Sequence, residues 1–283
     1  MKRALLFLLL ILFFLIITAP ENTKPDQGVS QPDWKKQNEE RIQLYKNAIE
    51  AAERDVSSNP KSPEAHFRLA EIYVNGPLDD ATQKKAVEQY LKAIRLKPDF
   101  AEAYLGLAHA YSNQSKYSAA YEALHKAISL RPDYAEAYCR LGFTYLNPDK
   151  YENGPKLPVT EEDIKRAEEA LEKAVKIKPE YYEAQVGLGM VYELLGKKEE
   201  ALKTYSQAVI LNPDDHLIHF RLGNIYVEFG NKEAATQEYE KLKYIAEEAS
   251  KQNKAMGLRD EPNLVRGYAN DLLKKIKGRF EEN

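Results

Sequence analysis

Between Pro63 and Lys243 apolar positions recur every three or four residues, in short blocks separated by polar turns. That period puts one apolar stripe on each of a succession of amphipathic helices. Prolines end the pattern at Pro98, Pro132, Pro179 and Pro213. The first two lie 34 residues apart (132 − 98) and so do the last two (213 − 179); the middle interval of 47 is one such period plus thirteen residues. A fixed period of this size marks stacked units, each covering an apolar face that its neighbour cannot bury alone.

Counted from the third residue after the preceding proline, the units begin at Pro63, Ala101, Ala135, Tyr182 and His216. Position 7 is then Leu69, Leu107, Leu141, Leu188 and Leu222, and position 11 is Tyr73, Tyr111, Tyr145, Tyr192 and Tyr226. Position 8 is small throughout (Ala70, Ala108, Gly142, Gly189, Gly223); with the later positions counted back from the closing proline, so is position 20 (Ala86, Ala120, Ala167, Ala201, Ala235). Position 24 is bulky: Tyr90, Leu124, Leu171, Tyr205 and Tyr239. Leucine and tyrosine four residues apart share a helix face. Small residues at 8 and 20 let two antiparallel helices approach closely, and the bulky residue fills the gap beyond.

This pattern resembles the tetratricopeptide repeat (TPR) family. The resemblance implies an all-α, right-handed α-solenoid of about five helical hairpins, with units 63–100, 101–134, 135–181, 182–215 and 216–247. An amphipathic stretch within 36–62 reads as a leading cap, the second helix of a degenerate repeat closed by Pro60. Residues 248–283 read as a capping region whose last helix sets Leu264, Tyr268, Leu272, Ile276 and Phe280 on one side. Position 4, aromatic in the family, reads His66, Tyr104, Tyr138, Gln185 and His219 here, so looser packing is expected at Gln185. Extra residues fall inside two hairpins, around 75–78 and across 147–159. After the second, Thr160 and Asp163 have the spacing of a capping box.

Ahead of the repeats, Met1-Lys2-Arg3 precedes an unbroken apolar run from Ala4 to Ala19. Those residues as a helix reach about 24 Å, a little short of a hydrocarbon core. Ala19 suits the position before a signal-peptidase cut, but Ile17 is bulky and Pro20 would follow the cut. Residues 1–19 are therefore expected to be an uncleaved signal anchor that inserts in the membrane through residues 4–19. Lys2 and Arg3 then stay cytoplasmic and the repeats are extracytoplasmic, in a bacterial periplasm. The alternative is a freely secreted periplasmic protein released by cleavage. Residues 20–35, rich in Pro, Asn, Gln, Asp and Gly, read as a flexible linker.

In the family, positions 2, 5, 9, 12 and 13 of each first helix line a concave groove. The resemblance thus implies a protein-binding groove floored by Phe67, Leu105, Cys139, Val186 and Phe220. Glu71, His109, Phe143, Met190 and Asn224 extend it, with Val74, Leu146 and Asn113 beyond. Glu64, Glu102, Glu136 and Glu183 rim this floor, which suits an apolar protein or peptide segment with basic flanks. No lysine occupies position 5, which disfavours the clamp that chaperone-binding relatives close on a terminal carboxylate.

Composition narrows the alternatives. A net charge of −3 gives no basic excess for phosphate backbones, so no nucleic acid is expected. Cys139 is the only cysteine, which excludes an internal disulfide and multi-cysteine metal sites. No small-molecule substrate and no cofactor are expected. An enzyme or metal-dependent protein would have to use His109 with Cys139, or His216 with His219, and no orienting third residue accompanies either pair. The expectation is a non-enzymatic scaffold for envelope assembly or secretion.

Overall fold

The computed structural model describes residues 34–76, 79–147, 159–255 and 264–281. The apolar run, most of the linker and most of both insertions lie outside them. The described residues form twelve helices and no strand. Helix α1 (Trp34–Ser58) leads; then come hairpins α2 (Pro63–Val74) with α3 (Asp80–Leu96), α4 (Ala101–Asn113) with α5 (Tyr117–Leu130), and α6 (Ala135–Tyr145) with α7 (Glu161–Ile177). Hairpins α8 (Tyr182–Leu194) with α9 (Lys198–Leu211) and α10 (His216–Glu228) with α11 (Lys232–Ala255) follow, and α12 (Leu264–Phe280) ends the array. No described helix is long and apolar enough to cross a membrane.

Each second helix packs on its own first helix and on the first helix of the next unit. Successive first helices also touch, α2 with α4 and α6 with α8, whereas described second helices make no comparable contact with one another. The array therefore curves with its first helices on the inner side.

Position 24 holds this stack together. Tyr90 and Tyr205 are fully buried, as are Leu124 and Leu171. A Cβ added at Gly106 would lie 2.4 Å from the Tyr90 ring, and one at Gly189 equally close to Tyr205. Leu171 fills the space beside Gly142 in its own unit and beside Gly187 in the next. The small positions are thus sockets for large side chains of the second helices, many of them reaching across a unit boundary.

The turn inside a hairpin also repeats. In units two, four and five the amides of Lys116, Lys197 and Asn231 donate to the carbonyls of Tyr111, Tyr192 and Tyr226. The residue ahead of each donor is left-handed: Ser115 (φ 59°), Gly196 (φ 69°) and Gly230 (φ 73°). In unit three the chain re-enters helix through Thr160, whose hydroxyl accepts from the Asp163 amide while the Asp163 carboxylate accepts from the Thr160 amide.

The departures at position 4 have a physical account. Gln185 is buried and donates to the Pro179 carbonyl at 2.9 Å, so its packing is not loose. His66 lies 3.1 Å from the Pro60 carbonyl and His219 2.9 Å from that of Pro213. A proline ends the preceding helix and leaves a carbonyl that a polar position 4 satisfies.

At the C-terminal end, α12 lies on both α10 and α11. Its buried line is Val265, Ala269, Leu272 and Ile276; Leu264, expected on that face, is exposed at its edge, and Tyr268 and Phe280 are half-buried. Leu272 occupies the socket beside Gly223.

A helical glycine changed to alanine ordinarily stabilises by about 0.5–1 kcal/mol. Gly106→Ala should instead destabilise, because overpacking against Tyr90 costs about 1–3 kcal/mol. In a Tyr90→Ala background the same change should become neutral or stabilising; urea unfolding of the four variants of this cycle measures the coupling.

His219 generates a pH dependence. Its Nδ1 lies 2.5 Å from a Glu238 carboxylate oxygen and its Nε2 faces the Pro213 carbonyl, so only the imidazolium satisfies both acceptors. Burial opposes that charge, but Glu238 and the proline carbonyl outweigh it and raise the pKa above the usual histidine value. The stabilisation is full below the unfolded pKa of about 6.5 and is lost as pH rises through the raised folded value. Thermal melts across that interval should show a decline in the native chain that His219→Gln lacks, since a glutamine keeps the proline bond without titrating.

Candidate interaction groove

The inner surface is built by the first helices α2, α4, α6, α8 and α10. Of the residues expected on it, Val74 and Cys139 are only 2% and 3% exposed and are not available to a partner. Val74 lies under the hairpin turn, where its carbonyl accepts from Gln83. Cys139 is covered by Tyr181, at the N-terminal end of α8; burial, only partly offset by the hydrogen bond with Tyr181, pushes its thiol up to about 12. A thiol held in that state is not an activated nucleophile.

Phe67 is half-buried beneath Phe100, with ring centroids 5.0 Å apart. Leu105 and Val186 are half-buried, as are Met190 and Leu146, while Phe143 is 38% exposed. Asn113 is exposed at the rim and donates to Gln83 at 3.0 Å. Phe220 and Asn224, expected to continue the floor, are covered by α12. Tyr268 stacks on Phe220 at 4.7 Å, and Lys275 donates to the Asn224 side chain at 2.8 Å. The uncovered floor therefore runs across α4, α6 and α8.

The acidic rim is largely neutralised by the chain itself. Glu64 pairs with Lys97, Glu102 with Arg131, and Glu136 with Lys178 at 3.1 Å. Each cation also lies over the aromatic ring just before the next first helix: Lys97 over Phe100, Arg131 over Tyr134 and Lys178 over Tyr181, at 4.6, 4.3 and 5.0 Å. Asn212 stands at the equivalent place in unit four, and there Glu183 is exposed without such a cation among the described residues. A rim made for basic flanks is thus reduced to Glu183.

Two carboxylates reach the groove and both are occupied. Glu71 accepts from the Tyr90 hydroxyl; burial raises its pKa, a rise that this bond and the charge of Arg140 temper. Glu193 accepts from Tyr205 at 2.6 Å and from Arg221 at 2.5 Å. His109 is largely enclosed, and burial together with the nearby Arg140 charge pushes it down to about 4, so the ring is neutral at ordinary pH. The two histidines considered for a metal are otherwise engaged: both His219 nitrogens have acceptors, and His216 stacks on Tyr268 at 5.8 Å.

Arg140, on α6, is the groove residue missed by counting only positions 2, 5, 9, 12 and 13. It stands at position 6, which reads Arg68, Gly106, Arg140, Gly187 and Arg221 along the units. Helical spacing puts positions 2, 6, 9 and 13 on one stripe, so this alternation was legible.

With the geometry in place, the comparisons can be read. Family models for the TPR repeat match residues 83–115 and 113–147, and models for the tetratricopeptide repeat match 159–219 and 195–251. The chain is built of tetratricopeptide repeats. No curated protein matches its sequence. Among solved structures it is similar to YrrB, described as a TPR protein with an unusual peptide-binding site, at TM-score 0.53 and 21% identity over 80% of this chain and 100% of that one. PilF of Pseudomonas aeruginosa gives TM-score 0.54 and 17% identity, covering 78% of this TPR chain and 93% of that one. The Cut9–Hcn1 hetero-tetramer of the APC/C gives 0.58 and 17%, covering 83% and 40%. At these identities the likeness is one of fold.

Proposed function

We propose that this TPR protein is a non-catalytic scaffold that holds a segment of another protein along α4, α6 and α8. One observation carries the proposal: at the middle of the inner face, exposed Phe143 stands beside half-buried Arg140, Leu105, Val186 and Met190, while α12 closes the C-terminal end of that face. Apolar floor with a few convergent polar groups is what a short helical or extended segment needs. YrrB, of similar fold, is described as having a peptide-binding site, which supports the same use of the surface here.

The proposal extends to place. The positive start and the apolar run Ala4–Ala19 support an uncleaved anchor that holds the repeats on the extracytoplasmic side of a bacterial membrane, where the groove would serve envelope assembly or secretion.

Phe143→Glu and Met190→Glu should each abolish crosslinked capture of the partner set recovered with the native chain, whereas Gln207→Glu, exposed on a second helix, should leave it intact. Equal capture by all three variants would remove the groove from consideration. For the anchor, full-length protein should sediment with membranes and resist carbonate extraction. A mature N-terminus beginning beyond Ala19 would overturn the tether in favour of a freely secreted protein.

A further inference from the structure

The chain contains an internal comparison at position 6. Arg68 pairs with Asp55 of α1, and Arg221 pairs with Glu193 at position 12 of the preceding unit. At Arg140 the corresponding residue of the preceding unit is Ser112, which returns its hydroxyl to the Ala108 carbonyl at 2.9 Å. Among the described residues the Arg140 guanidinium forms no ion pair and no hydrogen bond, and its nitrogens are not among those sealed from solvent without a partner. Position 6 lies on the inner stripe of α6, and the Arg140 charge acts on Glu71 two units back and on His109 one unit back.

Glu71 feels this cation but forms no ion pair with it. Its carboxylate is taken by the Tyr90 hydroxyl, which is itself buried and without a charge to give. The His109 ring has no bonded partner among the described residues either, so two polar groups of successive first helices are left without one. One turn along α6 is Phe143, which leans against the socket at Gly187 and keeps one face open.

We infer that Arg140 reads an acidic side chain inside the bound segment, with an apolar side chain of the same segment seated on Phe143. An ionised carboxylate is the complement a guanidinium fork selects, and the enclosed floor around it strengthens the bond. The acid is an interior one because apolar floor continues to both sides of Arg140, over Leu105 on α4 and over Val186 and Met190 on α8. A chain end anchored at Arg140 would leave half of that floor empty. This inference rests on the proposed groove and corrects its charge: the segment is apolar with an acidic centre, not basic flanks.

The test uses the full chain in detergent and a positional peptide library of about ten residues, made with free and with amidated C-termini. The native protein should select Asp or Glu at one interior position next to an apolar residue, equally in both forms. Arg140→Gln, which breaks no bond within the fold, should lose that acid preference by at least about tenfold while keeping the apolar one, and Phe143→Ala should weaken both. Circular dichroism melts confirm that the variants are folded. Selection of apolar peptides with no interior acid, or of free C-termini alone, overturns the inference and leaves the groove standing. No selection of any peptide by the native chain overturns both.

Discussion

The stack depends on one recurring contact, in which a large side chain of a neighbouring helix enters a place where a first helix offers no Cβ. Tyr90 enters at Gly106, Leu171 at Gly142 and Gly187 together, Tyr205 at Gly189, and Leu272 at Gly223. Contacts at Gly106 and Gly187 lie across a unit boundary, so a unit is completed by its neighbour. Stability in such an array is a sum of weak units and strong interfaces, and a single overpacked socket is felt on both sides. The same requirement explains why α12 is present: without Leu272 and Tyr268 the last first helix would show water its socket and its phenylalanine.

The sockets also shape the inner surface. A tyrosine at position 24 is long enough to cross its socket and bring a hydroxyl to the groove, where burial requires an acceptor. Glu71 and Glu193 supply it for Tyr90 and Tyr205. In units two and three the residue is leucine, which carries no hydroxyl and calls for no carboxylate. The stretch of floor between the two glutamates is therefore where acidic residues are absent and a cation is left without one.

The architecture was legible in the sequence because the contacts that make it repeat. Leucine, small residue and tyrosine recur at fixed positions, and each answers a packing need within one period. The capping box at Thr160 follows from local chemistry. The groove was legible only in part. Position lists place Phe143 and Met190 on the inner face, but cannot say that Tyr181 will cover Cys139 or that Tyr268 will stack on Phe220, since both covers come from far along the chain. The acidic rim misled for the same reason: Lys97, Arg131 and Lys178 stand at the far end of the hairpin from their glutamates in sequence and meet them only once the hairpin has closed. Leu264 was assigned to a buried face because a strict four-residue step drifts around a helix of 3.6 residues per turn; Val265 and Ala269 hold that line instead.

The two ends of the array set the length of the working surface. At the N-terminal side Arg68 is held by Asp55 of the leading helix, and at the C-terminal side Arg221 is held by Glu193 while α12 lies over Phe220 and Asn224. Both closures consume polar groups that would otherwise compete for a ligand. What remains open is three first helices wide, with one guanidinium near its centre. First helices packed at the usual interaxial spacing of about 10 Å make such a floor about 20 Å long between outer axes, roughly four helical turns of a bound segment. A surface of that extent holds a motif, not a domain, and its selectivity must then come from few contacts. An unpaired arginine beside an exposed phenylalanine is the arrangement in which few contacts discriminate, because the wrong charge at that point leaves a cation enclosed without a partner.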